Sequence, residues 1–337
     1  MPFVPIVGVN NHMQSILLGC SLLPDETIGS FVWVFRTLKE ALGGLEPRNI
    51  MTDQDKAMKA AIALVFLDAV HRCCKSHVVS KACEKLGWLI NSSEEFANEF
   101  DSCINHTKTP EEFELMWHSL EEKYNLHKNE AFQNMSVART MWALAYFRKS
   151  FFPFTSTRGR PKSMNSLFKK LVHPQDSLLQ FVTQYEYIMD TRIEKKNLEG
   201  CKGEILEPPL WGRYAFEKQA ARFYTRSVFF RFQELLHDST SCKKGQVTVE
   251  GEGVSIEILK QVRRCSQLTW KTYNVSVQDN ATIYSCTCNM FEQDGLLCPH
   301  ILKVFTSYDV EQIPEKYLLR RWSEEATIKI SENLFVT

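Results

Sequence analysis

Cys286, Cys288, Cys298 and His300 form a C-x-C pair and a C-x-H pair around a nine-residue connection, Asn289 to Leu297. Three soft thiolates and one imidazole make the ligand set of a closed tetrahedral zinc site. Four protein ligands leave no open position for water or substrate, so one zinc ion held here is structural rather than catalytic. The four residues are useful only if the chain brings them together. On a strand, Cys286 and Cys288 would point to one face, because side chains alternate with period two. Pro299 suits the first position of a helix and would place His300 in its first turn. Ile301, Leu302, Val304 and Phe305 then suit a short helix packed over the metal. The spacing predicts strand, loop and helix around one ion.

Upstream, strand and helix signals alternate. Phe3–Val9 and Ser15–Leu23 read as a hairpin joined by the polar turn Asn10-Asn11-His12. Glu26–Leu42 is an amphipathic helix closed by Gly43-Gly44. Asn49–Asp53 is a short strand, Ala57–Phe66 a helix and Ala69–Cys74 a further strand, giving the order ββαβαβ of an α/β domain. From Val78 to Phe151 the pattern turns helical. Thr109, Pro110 and Glu112 form a helix start with a capping box, followed by the stripe Phe113, Met116, Trp117, Leu120 and Tyr124. Thr155–Lys162 reads as a basic loop; Ser163–Leu171, Leu178–Leu198 and Ala215–Leu236 read as helices. His237–Gly253, rich in Ser, Gly and Lys, reads as a boundary before strands in Gln261–Val277.

The 337 residues, 44% hydrophobic and 24% charged, suffice for more than one domain of ordinary globular composition. Lys+Arg and Asp+Glu are both 40, which removes any global electrostatic case for nucleic-acid binding; such a surface must be local. Eleven scattered cysteines read as reduced thiols of the cytosol or nucleus. No run of eighteen apolar residues predicts a membrane span, and the N-terminus has no signal-peptide pattern.

Gly8-Val9-Asn10-Asn11-His12, Thr52-Asp53-Gln54-Asp55, His71-Arg72-x-Cys74-x-x-His77, Phe151-Phe152 and Ser163-Met164-Asn165-Ser166 resemble the Mutator-like transposase domain. More narrowly, they resemble its domesticated plant descendants, the far-red-impaired-response family. The cysteine cluster followed by Gln312–Trp322 resembles that family's SWIM-type zinc finger. The resemblance runs over essentially the whole chain. It implies an RNase H-like transposase domain (residues 1–78), a large helical insertion with further transposase-derived helices (79–236) and a small SWIM module (254–322).

Active relatives use three acidic residues to hold two divalent ions for in-line attack on DNA. The second acid falls on Asp53. The first belongs to a strand that in relatives precedes Met1-Pro2-Phe3, so the expectation is an N-terminally truncated domain lacking its first strand. The third acid's place, before Ser163-Met164-Asn165, is taken by Lys162, where a cation would repel metal rather than bind it. The expectation is no catalytic residue and no enzyme. The resemblance implies instead a nuclear regulator of transcription of the light-signalling type, whose partners are DNA or transcriptional proteins. Homo- or hetero-dimerisation belongs to the same expectation, with no membrane and no small-molecule substrate. Two rivals stand beside it: an active Mutator-type transposase, and an interaction module without DNA contact.

Three further groups carry two readings each. Cys74 and His77 are a C-x-x-H pair, read as packed and hydrogen-bonded in preference to metal ligands. Asp53 and Asp55 suit one hard cation or a helix cap equally. Arg158, Arg160, Lys162, Lys169 and Lys170 read as a solvated basic face in preference to a phosphate contact. Loss of a thiolate such as Cys298 is expected to unfold Val254–Trp322 while everything upstream survives.

Overall fold

A computed structural model describes residues 1–154, 168, 177–205, 208–251, 253–264 and 267–326. The chain divides into two compact units that do not follow sequence order. The first comprises residues 1–2, 22–152 and 262–269; the second comprises 3–21, 153–261 and 270–337.

The opening order is ββαβαβ: β1 Phe3–Val9, β2 Ser15–Leu22, α1 Ile28–Ala41, β3 Asn49–Thr52, α2 Lys56–Val65 and β4 Val70–Cys73. β1 pairs with β2. β3 and β4 run parallel, Asn49 opposite Val70 through Thr52 opposite Cys73, with α2 as the crossover between them. α1 stops where Gly43 and Gly44 take φ of 65° and 84°, a left-handed backbone that only glycine adopts without steric cost. Their N–H groups close on the Glu40 and Lys39 carbonyls.

Five helices complete the first unit: α3 Lys75–Ser92, α4 Glu94–His106, α5 Pro110–Lys123, α6 Glu130–Val137 and α7 Arg139–Trp142. Their shared core is aromatic. Phe96, Phe113, Phe132 and Trp142 are fully buried, and Trp117 stacks on Phe132 at 4.3 Å. The stripe read on α5 faces this core, with Phe113, Trp117 and Leu120 buried and Met116 and Tyr124 partly so. Thr109 caps α5 by accepting the Glu112 N–H at 3.2 Å. The reciprocal half of the capping box differs from expectation: the Glu112 carboxylate accepts from the Lys108 N–H, one residue before the cap.

The second unit contains α8 Leu178–Ile205, α9 Ala215–Phe223 and α10 Arg226–Ser239. The chain also forms an antiparallel sheet in the order β5-β6-β7-β8: Cys242–Glu250, Gly253–Arg264, Gln267–Gln278 and Ile283–Cys286, of which all but residues 262–264 and 267–269 belong to the second unit. Two expectations change here. Ala215–Leu236 is two helices, broken at Tyr224-Thr225. Aromatic periodicity runs unbroken through the joint, so it carries no sign of the break; the freed Thr225 N–H bonds the Trp322 carbonyl at 2.9 Å. And His237–Gly253 is no linker, because β5 occupies most of it, pairing Cys242 with Lys260 through Glu250 with Gly253. The alternation in Val247-Thr248-Val249 is a strand signal that the surrounding polar residues masked. The Thr155–Lys162 loop, and with it Arg158, Arg160 and Lys162, lies outside the described residues, as do Lys169 and Lys170 and all of Ser163–Leu171 except Phe168. Among the described residues, no helix is long and apolar enough to cross a membrane.

Candidate metal centre

β8 delivers Cys286 and ends there. It opposes β7, with Val275 across from Cys286. The Thr287 N–H still reaches the Asn274 carbonyl at 3.0 Å, and then the chain turns. Asn289 takes a left-handed backbone, φ 51°, and its N–H closes on the Cys286 carbonyl at 2.9 Å. Cys288 therefore lies in a turn, not on the strand beside Cys286. Convergence of the two thiols comes from the turn rather than from strand alternation. The connection is also partly helical: α11 Met290–Asp294 is closed by Gly295 at φ 71°, and Leu296 and Leu297 are fully buried.

Cys298 and His300 lie where the spacing placed them. Cys298 is the N-cap of α12, Pro299–Ser307, with Pro299 at the start and His300 in the first turn. The Cys298 sulfur accepts the Ile301 N–H at 3.4 Å. A helix N-terminus favours a thiolate there. Ile301, Leu302, Val304 and Phe305 are buried beneath, as their pattern required.

The four ligand atoms lie within 4.8 Å of one another, and Cys286 Sγ is 3.5 Å from His300 Nδ1. A tetrahedron with Zn–S near 2.3 Å and Zn–N near 2.0 Å has edges of about 3.5–3.8 Å. The donor set and its spacing fit one zinc ion. The electrostatics point the same way. Burial pushes the Cys298 thiol well up, with Cys286 and Cys288 adding to the effect. The hydrogen bond with Cys288 raises Cys286, while Cys288 is held low by hydrogen bonds from Cys286 and Cys298. Three buried thiols this close do not all ionise without a counter-charge, and a divalent cation provides it.

Sequence reasoning missed Tyr273. Its ring stacks on the His300 imidazole, centroids 3.8 Å apart and 19° between planes. His300 Nε2 is buried without a hydrogen-bond partner among the described residues, so stacking takes over the orienting role that a carboxylate or carbonyl usually plays for a ligating histidine. The signal was parity: Tyr273 is two residues before Val275, the partner of Cys286, and so shares its face. It becomes readable only once the β7–β8 register is known.

The other candidates do not assemble into a comparable centre. Asp53 is exposed at the end of β3. Asp55 caps α2, accepting the Met58 N–H at 2.6 Å. Asp55→Ala should therefore lower stability by about 1 kcal/mol, measurable as a reduced urea midpoint at unchanged m-value. Near Asp53, His71 Nε2 is 2.8 Å from the Thr52 hydroxyl, and burial, assisted by Lys59, holds the imidazole below its usual value. Burial raises the Cys73 thiol. Both groups are thus biased toward their neutral forms. Cys74 is the N-cap of α3 without a side-chain cap bond, its sulfur 3.0 Å from the Ser76 hydroxyl, whereas His77 is exposed. The two side chains are not the packed pair that their spacing suggested. Among the described residues, Cys286, Cys288, Cys298 and His300 are the one group of three or more ligand-type side chains close enough to share an ion.

Residues 1–81 match the MULE transposase domain, and residues 273–309 match the SWIM zinc finger, which contains all four ligand-type residues. The chain is similar over nearly its full length to Arabidopsis thaliana proteins. It is 35% identical to Protein FAR1-RELATED SEQUENCE 5 over 326 residues, 97% of this chain and 41% of that protein. It is similar to far-red-impaired-response proteins. Protein FAR1-RELATED SEQUENCE 9 is 30% identical over 332 residues, 98% of this chain and 60% of the relative. Protein FAR-RED IMPAIRED RESPONSE 1 is 30% identical over 331 residues, 97% and 39%. The chain thus spans about two-fifths of the length of the first of these FAR1-related proteins. The match to the SWIM zinc finger and the compact Cys₃His cluster together support one structural zinc ion.

Proposed function

We propose that this chain is a catalytically inactive, transposase-derived nuclear regulator of transcription, with Cys286, Cys288, Cys298 and His300 holding one structural zinc ion. The observation that carries the reading is the contrast between two sites. The zinc ligand set is complete and compact, its atoms within 4.8 Å of one another. At the catalytic position Asp53 stands exposed at the end of β3, and the adjacent Asp55 carboxylate is committed to a helix cap. Two-metal catalysis needs several carboxylates converging within a few ångströms. The ββαβαβ order with a parallel β3–β4 pair supports descent from an RNase H-like domain in residues 1–78, followed by the helical segment 79–236 and the finger at 254–322. These are segments of descent; the compact units cut across them.

The partner of the regulator is DNA or a transcriptional protein. With zero net charge, DNA contact must come from a local surface. Titration of the zinc-loaded chain with duplex DNA at increasing salt tests this. A linear fall of log K with log salt is expected, since each neutralised phosphate releases counterions. Salt-independent or absent binding would favour an interaction module without DNA contact. With Mg²⁺ or Mn²⁺ the chain should neither cut nor join DNA. Cleavage that disappears in Asp53→Ala would restore the active transposase.

A further inference from the structure

The turn at residues 10–14 is polar yet largely buried. Asn10, Asn11 and His12 are 9%, 7% and 4% exposed. The Asn10 side-chain oxygen organises it, accepting the N–H groups of His12 at 3.0 Å and Gln14 at 2.8 Å. Buried polar groups need partners, and a hairpin turn ordinarily finds them in water. Here the partners come from more than 200 residues away. The Thr225 hydroxyl donates to the Asn11 carbonyl at 2.7 Å, and the Asn11 carboxamide donates to the Ser323 carbonyl at 3.1 Å. Arg321 donates to the Val9 carbonyl at 3.0 Å.

The same short segment reaches the metal loop. Ser323 bridges to Tyr224, and the Thr225 N–H bonds the Trp322 carbonyl. The Trp322 indole N–H donates to the Asp294 carbonyl at 3.1 Å, and its fully buried ring lies 5.3 Å from that of Phe154. Asp294 closes α11, inside the connection between Cys288 and Cys298. A second strap runs from β8, where the Tyr317 hydroxyl accepts the Tyr284 N–H at 2.6 Å and donates to the Tyr284 carbonyl at 2.5 Å. Every residue in this chain of bonds belongs to the second compact unit.

We infer that the zinc loop and the turn at residues 10–14 are two ends of one hydrogen-bonded latch, through which zinc loading sets the stability of the β1–β2 turn. The bistable element is the segment 319–323, docked or released. The ligand loop is short and its fold depends on metal closure, so losing the ion frees Asp294, then Trp322, and then the carbonyls that hold Thr225 and Asn11. The finger is thereby an internal support of the transposase-derived hairpin. Such coupling is reciprocal: loosening the turn must weaken zinc by the same factor.

Hydrogen exchange on the full chain, zinc-loaded and after stripping with a chelator, tests this. Residues 3–21 should lose protection together with 283–305, while 94–123 in the other unit stays unchanged. Opening of 283–305 with 3–21 still protected would overturn the latch. Loss of protection throughout, 94–123 included, would also overturn it by making zinc a global staple. The reciprocal arm is zinc competition against a chromophoric chelator. Trp322→Phe keeps an aromatic ring and removes the indole donor; Asn11→Ala removes the turn's bond to Ser323. Each should weaken zinc binding about fivefold or more, the lower end of ordinary allosteric coupling. Unaltered zinc affinity in both variants would sink the proposal.

Discussion

Cys298→Ala should abolish stoichiometric zinc binding and melt the second compact unit while leaving the helical first unit folded. The substitution removes a ligand, the N-cap of α12 and the acceptor of the Ile301 N–H. A structural zinc contributes on the order of 10 kcal/mol to a small module, comparable with the whole stability of a domain. The damage should spread beyond Val254–Trp322. α9 and α12 share a core in which Phe216 and Phe305 meet edge to face at 5.6 Å, and Gln219 clasps the backbone of Ile313 through both ends of its amide. β5, which begins at Cys242, belongs to the same sheet as the metal strand. Limited proteolysis should therefore leave a resistant fragment derived from residues 22–152. A fragment extending through α10, or one zinc per chain in the mutant, would contradict this.

Trp117→Ala should do the converse, destabilising the first unit by about 3–5 kcal/mol while zinc stays at one per chain. Trp117 is 3% exposed. It touches four aromatic rings: Phe132 at 4.3 Å, Phe113 at 5.4 Å, Trp142 at 5.9 Å and Phe100 at 6.3 Å. Truncation leaves a cavity bounded by rigid rings that cannot close over it, the condition under which cavity cost is largest. Its indole N–H has no hydrogen-bond partner among the described residues, so the loss is one of packing. Trp117→Phe should then cost much less, under about 1.5 kcal/mol, because it retains a ring and deletes an unsatisfied donor. Chemical denaturation followed by Trp fluorescence and zinc assay would distinguish the two variants; equal losses would show that the ring stack is not what matters there.

Much of the local structure was legible because its causes are local. Gly43-Gly44 ends α1, Thr109 and Pro110 start α5, and apolar spacing over three or four residues fixes which helix faces are buried. The ligands Cys298 and His300 were placed correctly for the same reason, since a proline at the first helical position fixes where the helix begins. Where reading failed, a local cue was outweighed. Alternation put Cys288 on a strand that the left-handed Asn289 turn ends early. Continuous aromatic spacing hid the break at Tyr224-Thr225, and polar composition hid β5.

By itself the sequence determined the chemistry of the metal centre, because ligand type and the C-x-C and C-x-H spacing need no knowledge of the rest of the fold. It also determined the order of the first six elements, because propensity and periodicity act within a few residues. Only the tertiary structure decided what supports that centre. Tyr273 covers His300 through the strand register, and Asn11 reaches Ser323 across 312 positions. Contacts of that separation leave no period, cap or turn signature in the chain; they exist only once distant backbone groups, buried by folding, must find partners in one another.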